Sequence, residues 1–242
     1  MPILYEVTPP SKFETRNELE EAVVAAISAG AVGIDITESP TGESHSCSLA
    51  AGVYAKLVHR IEVTVHLRTR DLTANSLFSA IRACEVWQVD SVLLVMGDGG
   101  PSTGLYPTRA LKLIREEGLG RGIKIGVIFG GGQEADRRKL EARPDFVYTP
   151  IMTNMDEIER AHGVAEKHGV ELFASVFVHS EKNKAIAERI RLPQAALDDR
   201  LVRSALALAD RLVVISPADL EGGTQFVRSV AAYERNSGTR PT

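Results

Sequence analysis

At 242 residues the chain is long enough for one large α/β domain, since barrels of that class run to about 250 residues, or for two small ones. Its composition, 44% hydrophobic and 25% charged, is that of a soluble globular protein, and a formal net charge of −4 with no basic run excludes a nucleic-acid footprint. No apolar run approaches the ~18 residues that cross a bilayer, the start Met1-Pro2-Ile3-Leu4-Tyr5-Glu6 lacks the order of a signal peptide, and Cys47 and Cys84 have no metal-ligand spacing, so the expected location is the reducing cytoplasm.

Short apolar runs alternate with longer segments of helical period along the whole chain. The predicted strands are Ile3–Thr8, Val32–Thr37, Ile61–Leu67, Ser91–Met96, Ile123–Phe129, Phe146–Thr149, Glu171–Val176 and Leu212–Ser216. The first intervening helix, Asn17–Ala29, shows one stripe at Leu19, Ala22, Val23, Ala26 and Ile27. Thr73–Trp87, Thr108–Glu117, Gln133–Ala142 and Asp156–His168 follow similar patterns, and Gly30 and Gly169 read as helix stops. The seventh connection, Glu181 to Ala209, is long and interrupted by Pro193, which predicts two helices, and Thr224–Glu234 supplies the last. Strands separated by helices are parallel with right-handed crossovers. Eight such units predict a closed (β/α)8 barrel, and no linker or low-complexity stretch divides residues 1–242, so one domain is expected.

Barrel enzymes carry their chemistry at the C-terminal strand ends, so polar residues there are the informative ones. Glu6, in the apolar first strand, is a carboxyl whose desolvation would suit it to act as an acid, unless it is paired with an arginine for structural reasons. In Asp35-Ile36-Thr37-Glu38-Ser39-Pro40, Thr37 ends strand 2 with a hydroxyl, and Ser46 reads as part of a helix start before Cys47–Leu57. His66 ends strand 3, and Arg68 and Arg70 after it suit carboxylates or phosphates at a barrel rim, although a lone strand-end histidine is more often structural. Gly97-Asp98-Gly99-Gly100 reads either as a plain turn or as a ligand loop in which Asp98 accepts from a ring N–H. Gly130-Gly131-Gly132-Gln133 leads into a helix, where a glycine loop can hold an anion, but it lacks Rossmann and P-loop spacing.

Taken in order, these motifs resemble the methylenetetrahydrofolate reductase family. Glu6 followed by Pro9-Pro10 is similar to the family's Glu-x-x-Pro-Pro. His66-Leu67-x-x-Arg70-Asp71 is similar to its His-Leu-Thr-x-Arg-Asp, and Gly97-Asp98 to the end of its strand-4 Arg-Gly-Asp. Thr37 lies where the family has a strand-2 threonine. The resemblance covers residues 1–100 and departs at Met96, which replaces an arginine, and at Thr149-Pro150, which replaces Thr-Gln. It departs again at Phe129-Gly130-Gly131-Gly132-Gln133, where the family has the flavin-binding Tyr-Pro-Glu-x-His-Pro.

The resemblance implies reduction of 5,10-methylenetetrahydrofolate to 5-methyltetrahydrofolate, a step of methionine biosynthesis, with hydride from NAD(P)H. Glu6 would be the general acid, and Asp98, the second catalytic residue, would position the pterin and tune charge near the hydride path. Thr37, His66, Arg68, Arg70, Gly97, Gly130, Gly131 and Gln133 would contribute to substrate and cofactor binding. FAD is implied by the family, and direct hydride transfer without flavin by the altered motifs. No metal is expected, and no nucleic-acid or membrane partner. A barrel that transfers a one-carbon group from a tetrahydrofolate-type pterin, and a folate binder without turnover, remain as alternatives.

Overall fold

The computed structural model describes residues 1–12, 15–98, 104–130, 133–193 and 199–236. Eight parallel strands hydrogen-bond in chain order and close into a barrel. They are β1 (Ile3–Val7), β2 (Gly33–Ile36), β3 (Glu62–Arg68), β4 (Ser91–Val95), β5 (Lys124–Ile128), β6 (Phe146–Ile151), β7 (Glu171–Phe177) and β8 (Arg211–Ile215). Closure is the pairing of β1 with β8, in the register Leu4 opposite Val213. Each strand lies within two residues of its expected limits.

The helices are α1 (Arg16–Ala29), α2 (Ser48–His59), α3 (Ala74–Val86), α4 (Pro107–Glu116), α5 (Gln133–Glu141) and α6 (Met155–His168), then α7 (Lys184–Arg189), α8 (Asp199–Leu208) and α9 (Leu220–Asn236). The two helices expected on either side of Pro193 are α7 and α8, and the left-handed residues that stop α1 and α6 are the expected Gly30 and Gly169. α9 starts four residues before its expected Thr224. Asp219 explains the difference, because its carboxylate accepts from the Gly222 N–H at 3.0 Å and satisfies a donor of the first turn.

Side chains alternate along each strand between two cores. Tyr5, Val92, Leu94 and Val214 face the helix layer, where they meet Val23, Leu77, Ile114 and Val227. Leu4, Leu93, Phe146, Phe173 and Val213 fill the lumen, with the Phe146 and Phe173 rings stacked at 4.5 Å. Below them the N-terminal mouth is closed by charge pairs: Arg211 reaches Glu62 at 2.6 Å across the barrel, and Lys124 bonds to Glu171. The lumen is therefore packed and neutralised toward the bottom, while its C-terminal end carries a cavity that could take a ligand.

One glycine is needed for that packing. A Cβ on Gly126 would lie 2.1 Å from the Phe146 ring, so the absence of a side chain on β5 is what admits Phe146 to the lumen. Gly126→Ala is expected to destabilise the barrel by about 3 kcal/mol, the upper end for overpacking, read as a lowered midpoint of thermal unfolding. An unchanged midpoint would show that the lumen has slack.

Candidate active site at the C-terminal mouth

β1 carries Glu6 to the open end two residues beyond Leu4, and register places Asp35 of β2 beside it. Asp35 in turn pairs with Thr64 of β3, so His66 stands one inward-facing position further along. Tyr148 arrives from β6 on the other side of the barrel. Asp35 is completely buried and accepts two hydrogen bonds, from His66 Nε2 at 2.9 Å and from the Tyr148 hydroxyl at 3.0 Å. The His66 and Tyr148 rings meet edge to face at 6.2 Å. One polar atom from each of Glu6, Asp35 and His66 lies within 4.8 Å of the others. That spacing is compact enough for a cation; with Asp35 as the acceptor, the imidazole nitrogen nearest it donates a hydrogen there.

The electrostatics follow from this crowding. Burial, and then the Asp35 charge, raise the Glu6 carboxyl to about 8, with His66 pulling the other way. Burial alone would lower His66, but Asp35, with Glu6 and Glu38 beyond, holds it above its ordinary value. Burial and Asp35 also push the Tyr148 hydroxyl well up. The Glu6 carboxyl is therefore held toward its protonated form, and the His66 imidazole toward its charged form, at the floor of a cavity of about 680 Å³.

Thr37, Gly97 and Asp98 line that cavity with Glu6 and His66, as the sequence suggests. Thr37 is buried, with Oγ1 3.3 Å from Thr8 Oγ1, and Asp98 is exposed at the rim, accepting from the Thr41 N–H at 3.2 Å. The two arginines are placed differently from expectation. Arg68 lies along Gly97 with its Nε 2.7 Å from Asp71, and buried Arg70 donates to the Gly97 carbonyl at 3.0 Å. Neither lines the cavity, because both support the backbone of the β4 loop from beneath. Gly130 also stands outside the mouth. Its N–H donates to both Asp136 carboxylate oxygens, at 3.0 and 3.1 Å, so that donor is taken up within the protein. Gly99, Gly100, Gly131 and the side chain of Gln133 lie outside the described residues. Ser46 does not cap α2: the Glu38 carboxylate accepts from the Ser48 N–H at 3.0 Å instead.

Asp35 and Tyr148 were not singled out from the sequence. Asp35 had a usable signal, since it alternates with Thr37 and stands between Ile34 and Ile36, where a charge requires a partner. Tyr148 had none, because its partner is 113 residues away.

Two further cavities adjoin the mouth. One of about 560 Å³ between α5 and α6 meets it at Thr149 and Pro150. The other, about 650 Å³ between α4 and α5, shares Val95, Met96 and Ile128 with it. The α4–α5 cleft has an apolar floor and four cations, Arg109, Lys112, Arg138 and Lys139.

Fold and cluster together define a (β/α)8 barrel with a hydrogen-bonded Asp35–His66–Tyr148 cluster beside Glu6 at its C-terminal mouth. No protein-family model matches the sequence, and no curated protein does. Solved structures do match. An uncharacterized protein from Clostridium thermocellum that binds two copies of 5-methyl-5,6,7,8-tetrahydrofolic acid aligns with a TM-score of 0.67 at 11% identity, over 96% of this chain and 95% of that one. A native KDPGal structure aligns at 0.57 and 10%, over 98% and 96%. A cube-shaped protein cage designed by fusing symmetric oligomeric domains aligns at 0.58 and 10%, over 98% and 73%. At these identities the likeness is one of fold. Among the described residues no helix is long and apolar enough to cross a membrane.

Proposed function

We propose that the protein is a folate-linked oxidoreductase that reduces 5,10-methylenetetrahydrofolate to 5-methyltetrahydrofolate with hydride from NAD(P)H. The observation that carries this reading is Glu6, a carboxyl raised to about 8 by burial and Asp35 at the floor of an open barrel mouth. Its motif context supports the reading, and so does a neighbour of the same fold that binds the methylated pterin.

In this reaction Glu6 gives its proton to N10 of the substrate. The N10–methylene bond breaks with its electron pair remaining on N10, and the methylene is left as an N5 iminium. NAD(P)H, when bound, would supply the hydride that turns this carbon into the methyl group. Glu6 then regains a proton from solvent, so each turnover consumes one NAD(P)H and one proton. Asp98 at the rim would accept from the pterin N–H groups, and Thr37 would offer a hydroxyl on the same wall. Of the α4–α5 cleft cations, Arg109, Arg138 and Lys139 already pair with Glu116, Glu134 and Asp136, so Lys112 is the cation that would meet a dinucleotide phosphate there.

Direct transfer without flavin is favoured, since Gly130 keeps its N–H on Asp136 and Arg68 and Arg70 face away from the cavity. The purified protein is therefore expected to lack flavin absorption and to oxidise NAD(P)H only when methylenetetrahydrofolate is present. Flavin bands would overturn the direct route. Absence of turnover, with methyl transfer from 5-methyltetrahydrofolate in its place, would overturn the reductase.

A further inference from the structure

The residue that organises the mouth is Asp35, to which neither the family motifs nor the proposed chemistry assigns a role. It has no exposed surface, and both of its carboxylate oxygens are engaged, one by Tyr148 and the other by His66. Glu6 lies next to it in register. The other titratable groups facing this trio are Tyr148 from β6 and Glu38 beyond β2. Asp98, His45 and the ion-paired Glu43 and Arg189 lie higher on the cavity wall.

Charge counting limits the protonation and hydrogen bonding chooses within it. Two carboxyls and one imidazole in a desolvated cluster reach zero net charge either with all three neutral or with the imidazole protonated and one carboxyl ionised, and the two donors aimed at Asp35 select the second. A second carboxylate would leave an uncompensated buried charge. Asp35 holds the hydrogen bonds that stabilise a carboxylate, whereas no hydrogen bond from His66 or Tyr148 reaches Glu6. We propose that Asp35 is a positioning residue that sets the proton inventory of the mouth: it is the ionised member of the trio, fixes His66 as its counter-cation, and thereby leaves Glu6 in the protonated state. The functional consequence rests on reading Glu6 as the proton donor, while the protonation itself does not.

Removing the Asp35 charge tests this. In Asp35→Asn the neutral arrangement becomes a Glu6 carboxylate facing the His66 imidazolium. Glu6 should then titrate lower than in the wild type, by about one pH unit or more. In His66→Gln the cation is removed and Glu6 should titrate higher. The measurement is the pH titration of the Glu6 carboxyl by carbon-13 NMR on glutamate-labelled protein, assigned through Glu6→Gln and made without substrate. Opposite shifts in the two variants support the proposal. An unmoved Glu6 in Asp35→Asn overturns it, since a purely structural aspartate would reduce activity and leave that titration in place. Should Asp35→Asn not fold, His66→Gln decides alone, with an unmoved or lowered Glu6 overturning the proposal. Because no turnover is measured, failure of the reductase reading would be seen separately, as absent NAD(P)H oxidation in a wild type whose Glu6 still responds to both substitutions.

Discussion

Glu6→Gln is expected to lower kcat by about 100- to 10,000-fold, the usual contribution of a positioned general acid, while the protein still binds folate. The amide preserves shape but holds no transferable proton. The wild type should lose activity as pH rises through the Glu6 value of about 8, because only the protonated carboxyl can open the methylene bridge. The same shift has a consequence for stability. The Glu6 carboxyl is raised from 4.5 to about 8 in the folded protein, so the folded state binds the extra proton. Its stabilising effect is complete below the lower value and declines as pH rises toward the upper one, by at most about 1.4 kcal/mol for each pH unit. Glu6→Gln, with nothing to titrate, should therefore be more stable than the wild type above pH 8 and show a flatter dependence of its unfolding midpoint on pH. Equal pH profiles for wild type and variant would remove Glu6 from the acid role.

The second large effect is expected at Gly97. Its φ of +81° is a conformation that disfavours a Cβ, and a Cβ there would sit 2.5 Å from Cγ of Arg68. Its carbonyl also receives the Arg70 hydrogen bond at 3.0 Å, and the next residue is Asp98. Gly97→Ala must therefore move either the buried arginine support or the loop that presents Asp98. A loss of about 2 kcal/mol in stability, with KM for the folate raised more than kcat is lowered, is the expected result. If kcat fell and KM held, Asp98 would belong to the chemical step instead of to pterin positioning. Stability close to that of the wild type would show that Arg68 can yield without disturbing the loop.

Much of the architecture was legible in one dimension. The spacing of apolar runs located eight strands, because a strand buried on both faces leaves a short continuous run whatever it packs against. Glycines 30 and 169 marked helix ends, and Pro193 divided the seventh connection, since these are local backbone effects that need no partner. Glu6, Thr37, His66, Gly97 and Asp98 were recognisable for a similar reason: each is a polar or glycine residue at the end of an apolar strand, and a parallel barrel brings all such ends to one mouth.

Orientation and partnership had to await the closed barrel. Arg68 and Arg70 belong to the same motif as His66, yet they turn beneath the β4 loop, because Gly97 leaves the space and the carbonyl that receive them. Gly130 belongs to a glycine loop of the kind that can hold an anion, and only the structure shows that its own N–H is taken by Asp136 six residues later. Asp35 became the centre of the site only when β3 and β6 brought His66 and Tyr148 to its two oxygens, 31 and 113 residues away. The sequence by itself determined which residues end the strands, since strand position is a local property. The tertiary structure alone decided which of them hold protons, because protonation depends on burial and on charges contributed by distant strands.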